Sequence, residues 1–280
     1  MSPRLCSSAA SDFYKTPPSP PRRGRAGGGP GRRLQRIVIR NPTLRWPVRL
    51  PSDIAGERFA EVGRRGKYLL LPLDSGGLIL HLGMSGHLAF VDAARDAGKH
   101  DHIDLVLDDG RAVRFTDPRR FGSLHWQPFP LLGHPLLKSL GPEPLSSDFD
   151  AAYLASQARG RRTAIKSLLM DARVVVGVGN IYANEALFLA GIRPRRAAGR
   201  ISKPRLALLV AAVKATLARA IDTGGTTLRD FTGTDGKPGY FRQELHVYGR
   251  GGEPCRQCRK PLTEVRHGGR ATVYCAACQR

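Results

Sequence analysis

Apolar and polar positions change their period once along this chain. From residue 34 to about 130 the apolar residues come in short runs: "RIVIR", "KYLLLPL", "GLILHLG", "HLAFV", "IDLVL", "AVRFTD" and "SLHW". Asp109-Gly110 places a hairpin turn between two of them. Short strands with turn signals at this frequency predict an antiparallel sandwich or barrel.

After "LLGHPLLKSLGPEPLSSDF" the period becomes helical. The segment "ISKPRLALLVAAVKATLARAIDTGG" offers Ser202 as N-cap, Pro204 in the first turn and Gly224 at the stop. Its apolar face is Leu206, Leu209, Val210, Val213, Leu217 and Ile221. Two shorter helices, "TAIKSLLMDA" and "NIYANEALFLAGI", are joined by "RVVVGVG" in a helix–turn–helix arrangement. The second begins at Asn180, behind Gly177 and Gly179, and its free backbone N–H groups suit a phosphate. The same "GVGNIYA" stretch imitates a dinucleotide fingerprint but has Tyr182 at the third glycine position and no βαβ unit around it. Nucleotide binding is rejected.

The first thirty-three residues follow neither period. They contain no Val, no Ile and one acid, Asp12, and "KTPPSPPRRGRAGGGPG" is rich in Pro and Gly. There is no apolar core for a secretory signal and too much Pro and Gly for the amphipathic helix of a transit peptide. Disorder is the physical expectation. Charge then changes the picture. The chain holds 45 Lys+Arg against 23 Asp+Glu, a net +22, of which the opening stretch accounts for +6. The remaining +16 lies on folded-looking sequence and favours a polyanionic partner, nucleic acid first. No apolar run approaches the ~18 residues of a membrane span, and no membrane role is expected.

Four of five cysteines fall in two knuckles, Cys255 with Cys258 and Cys275 with Cys278, sixteen residues apart. That spacing predicts a tetrahedral Zn²⁺ site with thiolate ligands. A pair of disulfides is the competing reading, and a chain without a secretion signal disfavours it. Between the knuckles, "LTEVRH" and "RATVYC" flank Gly268-Gly269, which predicts a two-residue hairpin with Arg270 leaving its tip. An Arg fixed at a turn can grip a phosphate, although a lone Arg there is more often simply solvated.

Several stretches together resemble one family, the bacterial formamidopyrimidine-DNA glycosylases, with the related endonuclease VIII group. They are "RNPTLRWPV", "GKYLLLPL", "HLGMSGHL", "KHDHIDLVL", "RFTDPRRFG", "LGPEPL", "TAIKSLLMD", "VVGVGNIYANEALF", "GGTTLRDF", "DGKPGYF" and the zinc hairpin. The resemblance runs from about residue 34 to 280. It implies an α+β chain. An antiparallel β-sandwich would occupy 34–133, a helix-two-turn-helix domain 134–244 and a zinc finger 245–280, behind an opening stretch of 1–33.

The resemblance also implies roles. A damaged purine such as 8-oxoguanine has to be rotated out of the duplex before it can be reached. Met84, Arg119 and Phe121 match the family's intercalating trio, though Met84 by itself reads as a core residue. His100, Arg119, Arg162, Asn180 and Arg270 match its phosphate contacts. Lys67 matches the catalytic lysine beside the flipped sugar, where alone it reads as a solvated strand-edge residue. Lys67 and Arg270 are thus the catalytic candidates, Zn²⁺ the one cofactor, and double-stranded DNA with oxidised purines or abasic sites the partner. A bacterial cytoplasmic, nucleoid-associated monomer is expected.

The family opens Met-Pro-Glu-Leu-Pro-Glu and uses the proline amine as nucleophile. An α-amine has a pKa near ~8, against ~10.4 for lysine, so more of it is free base at neutral pH. Here residue 2 is Ser2, and no Pro-Glu precedes Pro142-Glu143. The composition of residues 1 to about 31 is that of a GC-rich gene read out of frame, which predicts a frameshifted or misassigned start. Two further readings stay open: a non-catalytic binder of damaged or abasic DNA on the same scaffold, and a zinc-ribbon nucleic-acid module without lesion specificity.

Overall fold

A computed structural model of the chain describes residues 31–222 and 245–280, and the backbone of residues 4–5. The described residues fall into two compact units, one running to Lys138 and one from Ser139 on.

The first unit is built of two antiparallel sheets. One is formed by Arg4–Leu5 (β1), Leu34–Ile39 (β2), His87–Asp92 (β6), Asp101–Leu107 (β7) and Arg111–Thr116 (β8), in the order β1-β6-β8-β7-β2. The other is formed by Gly63–Arg65 (β3), Tyr68–Pro72 (β4), Gly76–His81 (β5) and Ser123–Pro128 (β9), in the order β3-β4-β5-β9. Alternation in the sequence decides which side chains meet. Leu69 and Leu71 of β4 lie opposite Leu80 and Leu78 of β5. All four are buried in one cluster with Ile103, Leu105 and Phe115 of the other sheet. Fully burying each such side chain stabilises the fold by about 1.5–3 kcal/mol. The Asp109-Gly110 turn joins β7 to β8, with Gly110 at a φ of +78°. Two elements differ from the periodicity. Strand β3, "GRR", is too polar and short to be read from its pattern. Arg4–Leu5, inside the stretch expected to be disordered, pairs with Ala89 and Leu88 at the free edge of β6. A short helix, Pro135–Lys138 (α1), closes the unit.

The second unit is helical and ends in the hairpin. Its helices are Ala151–Ala158 (α2), Ile165–Leu169 (α3), Asn180–Leu189 (α4) and Lys203–Asp222 (α5). Asp150 caps α2 by accepting the Tyr153 N–H at 2.7 Å. In α5 the predicted face of Leu206, Leu209, Val210, Val213, Leu217 and Ile221 is buried throughout. Helix α3 is shorter than "TAIKSLLMDA" predicts, because Ala164 is extended and bridges to Ala197. Strands Thr263–His267 (β10) and Arg270–Tyr274 (β11) form the terminal hairpin. Gly268 and Gly269 have φ of +56° and +74°, the two left-handed positions its two-residue turn requires. No described helix is long and apolar enough to cross a membrane.

Candidate nucleic-acid interface and metal centre

In the first unit, three of the implied contact residues come together on two loops. Met84 follows β5 and is 57% exposed, and Phe121 precedes β9 and is 42% exposed. The Arg119 guanidinium lies 5.0 Å from the centre of the Phe121 ring. The two loops touch through backbone: a Cβ on Gly83 would lie 2.6 Å from the Gly122 nitrogen. Large apolar side chains presented outward beside a cation are poor core and good wedge.

Lys67 stands on the two-residue turn between β3 and β4, where Gly66 supplies the left-handed φ of +58°. Its side chain is exposed. Across the β4–β5 pair lies His81, its ring 4.9 Å from that of Tyr68. Burial first, and then the charges of Lys67 and Arg45, push the His81 imidazole down to about 4. His81 is therefore neutral at neutral pH. Its Nδ1 accepts the Gly83 N–H at 2.9 Å, which leaves the proton on Nε2. His81 opens the "HLGMSGHL" stretch that carries part of the family resemblance, but its burial and its charged neighbours are visible only in the fold.

His100 is half-buried, at the end of a loop tied down from within the sheet. Arg114 is buried and donates to the carbonyls of Asp96 (2.8 Å) and Arg95 (2.9 Å) in that loop. It is itself held by Asp104 through two bonds of 2.9 Å. Burial pushes the Asp104 carboxyl upward, but the Arg114 and Arg40 guanidiniums outweigh it and hold it below the usual range.

In the second unit, Arg270 is exposed at the hairpin tip, and Arg162 is exposed on the loop before α3. Asn180 opens α4, and its Nδ2 donates to the Ala271 carbonyl at 3.1 Å. The residue beside Arg270 is thus fixed to the start of α4. Lys166, which is 1% exposed, donates to the same carbonyl at 2.9 Å and to Thr272 Oγ1 at 2.7 Å. Asn184 Oδ1 accepts the Val273 N–H at 2.9 Å. Buried Glu185 accepts N–H bonds from His246, Val247 and Tyr248, which hold the chain leading to the first cysteine knuckle. Sequence reasoning missed Lys166, Asn184 and Glu185. Their only signal is polarity at helix positions that pack inward.

The four knuckle cysteines converge, with all Sγ atoms within 4.8 Å of one another and none in a disulfide. The Cys258–Cys275 and Cys255–Cys278 separations are 3.4 and 4.0 Å. A tetrahedron with Zn–S of ~2.3 Å has edges of about 3.8 Å, whereas a disulfide would need ~2.05 Å. Burial, then the neighbouring sulfurs, push the Cys278 thiol up to about 12, so a bound cation is what would let this thiol ionise beside the other three sulfurs. The residues fit one structural Zn²⁺.

Ser2, most of the opening stretch, and the whole of "GGTTLRDF" and "DGKPGYF" with their neighbours from 223 to 244 lie outside the described residues.

Comparison with known proteins accounts for both units. Residues 22–124 match the formamidopyrimidine-DNA glycosylase N-terminal domain, and 140–232 the formamidopyrimidine-DNA glycosylase H2TH domain. Residues 252–280 match the zinc finger found in FPG and IleRS. A formamidopyrimidine-DNA glycosylase of Stutzerimonas stutzeri is 57% identical over 252 residues, covering 89% of this chain and 93% of that protein. One of Photobacterium profundum is 55% identical over 253 residues, with 89% and 93% covered. The crystal structure of MutM (FPG) from Thermus thermophilus superposes with a TM-score of 0.80 at 39% identity, covering 90% of this chain and 92% of that one. A Lactococcus lactis Fpg in complex with abasic-site DNA gives 0.81 at 30% identity, covering 89% and 93%. Sequence and backbone agree over about nine-tenths of the chain, which belongs to the formamidopyrimidine-DNA glycosylase family of DNA repair enzymes.

Proposed function

We propose that this chain removes oxidised purines, 8-oxoguanine and formamidopyrimidines, from double-stranded DNA and then cleaves the strand at the abasic site by β- and δ-elimination. The exposed cluster of Met84, Arg119 and Phe121 carries the reading. Such a cluster suits filling the gap that a flipped nucleotide leaves in the stack. Solved relatives from Lactococcus lactis hold DNA with Fapy-dG or an abasic site.

In this reading Lys67 handles protons at the flipped sugar and Arg270 acts in the second elimination. Phosphates are held by His100, Arg119, Arg162 and Arg270, and at Asn180 by the backbone N–H groups that open α4. One N–H of the Asn180 amide is bonded to Ala271, which orients the group and leaves its second N–H for a phosphate. When bound, zinc fixes the hairpin that carries Arg270. The enzyme works as a monomer in the bacterial cytoplasm, on the nucleoid, where its substrate lies.

Base removal through an amine passes through a Schiff base that borohydride traps as a covalent adduct. The test is trapping on an 8-oxoguanine duplex by a form with the family's Pro-Glu start in place of residues 1 to about 31. The 280-residue chain, whose residue 2 is Ser, is the comparison. A covalent adduct and a cut strand are expected from the Pro-Glu form. Tight lesion binding with no adduct from either form would replace this reading by that of a non-catalytic binder of damaged DNA.

A further inference from the structure

The three wedge side chains sit on loops more than thirty residues apart in sequence, and one hydrogen-bonded pair, half-buried Ser85 and buried Asp117, joins those loops. Ser85, next to Met84, donates its hydroxyl to Asp117 Oδ1 at 2.5 Å. The Ser85 hydroxyl oxygen in turn accepts the Arg119 backbone N–H at 3.2 Å. The other carboxylate oxygen of Asp117, Oδ2, accepts the Gly122 N–H at 2.8 Å, just beyond Phe121. Asp117 has no exposed surface. Its backbone is also committed: its N–H goes to the His100 carbonyl at 3.0 Å and its carbonyl faces His102 Nε2 at 2.8 Å.

We propose that the Ser85–Asp117 hydrogen bond is a latch that makes the Met84 loop and the Arg119–Phe121 loop one inserting element, with Ser85 and Asp117 as positioning residues for lesion recognition. The proposal rests on the wedge reading given above. Burying a carboxylate is costly unless its acceptors are satisfied, and here both bonds it accepts come from loops bearing a wedge. The packing points the same way. Gly83, with a φ of +68°, lies so close to Phe121 and Gly122 that a Cβ would come within 2.6 Å of both backbones. Gly122 is equally closed in, with a Cβ only 2.5 Å from the Phe115 ring. The loops are therefore in register as well as in contact. A wedge ordered in advance loses no further freedom when it enters the stack, and three side chains on one rigid element enter together.

The experiment compares Ser85→Thr with Ser85→Val, whose new side chains are nearly equal in volume and differ by the hydroxyl. Affinity is measured for an 8-oxoguanine·C duplex and for its undamaged G·C counterpart, with 2-aminopurine beside the lesion reporting wedge entry. Val is expected to lower the preference for the lesion about tenfold and to suppress the fluorescence change, while affinity for undamaged duplex and zinc content match those of Thr and the melting temperature falls, because the buried Asp117 carboxylate loses a donor. Met84→Ala is expected to cost less in the Val background than alone, because an unlatched wedge has already lost most of its effect. Equal lesion preference and fluorescence for Thr and Val would overturn the latch, as would strict additivity with Met84→Ala. If Val fails to fold, Ser85→Ala, which removes the hydroxyl and adds no bulk, replaces it with the same expectations. Should Met84→Ala and Phe121→Ala themselves leave the preference unchanged, the wedge reading fails. If they lower it while Ser85→Val does not, the latch alone fails.

Discussion

The Lys166 ammonium donates to Thr272 Oγ1 at 2.7 Å and to the Ala271 carbonyl at 2.9 Å, so α3 grips the hairpin strand next to Arg270. Helix and strand are 106 positions apart in sequence. Lys166→Met should leave a buried hydroxyl without this donor and take one donor from the carbonyl, destabilising the protein by about 1–3 kcal/mol. Denaturant unfolding measures that loss. Binding to abasic duplex should weaken as Arg270 loses its support. Full stability in the variant would contradict the anchoring account.

The zinc site makes a separate expectation. Purified protein should contain one Zn²⁺ per chain, read by elemental analysis. Cys275→Ser should lose the metal, open the hairpin and weaken DNA binding at least about tenfold, ~1.4 kcal/mol. Disulfides at the four positions, or a metal-free protein with intact DNA binding, would end the claim.

Binding should depend steeply on salt. Arg119, Arg162 and Arg270 as phosphate contacts imply a slope of log K against log salt of about −2.7 or steeper, at about −0.9 per phosphate. Arg162→Ala should flatten that slope by about 0.9 and weaken damaged and undamaged duplex alike. Met84→Ala should leave the slope alone and lower only the preference for the lesion. Titrations at three or more salt concentrations separate the two.

Acid should destabilise the first unit through His81. Its folded pKa is about 4, below the ordinary 6.5, so between those values the unfolded chain binds a proton that the folded one does not. Stability is then lost as pH falls from 6.5 towards 4, by about 3 kcal/mol at most for this group. Burial lowers His125 and His134 of the same unit in the same direction, so all three add to the slope. His81→Gln should therefore remove only part of the difference between unfolding midpoints at about pH 7 and about pH 4.5. An unchanged pH dependence in that variant would show that His81 protonates freely in the folded state.

What the sequence determined by itself is whatever a few neighbouring residues enforce. The alternation in "KYLLLPL" and "GLILHLG" selects the buried face of each strand, because successive side chains must point to opposite sides. The spacing of the cysteines brings four sulfurs to one point, and Gly268-Gly269 allows the tight turn between their strands. The apolar face of α5 follows from 3.6 residues per turn. Tertiary structure decided the rest. Met84 reads as core by composition and is exposed because its loop leaves the sheet beside Gly122. Asn180 matches a phosphate ligand by resemblance, and only the fold shows that one of its amide N–H bonds goes to a hairpin carbonyl 91 positions away. Ser85 and Asp117 lie in the stretches "HLGMSGHL" and "RFTDPRRFG", but neither stretch shows the bond between them, for a hydrogen bond between loops depends on distance in space, and no period in one loop records what faces it from the other.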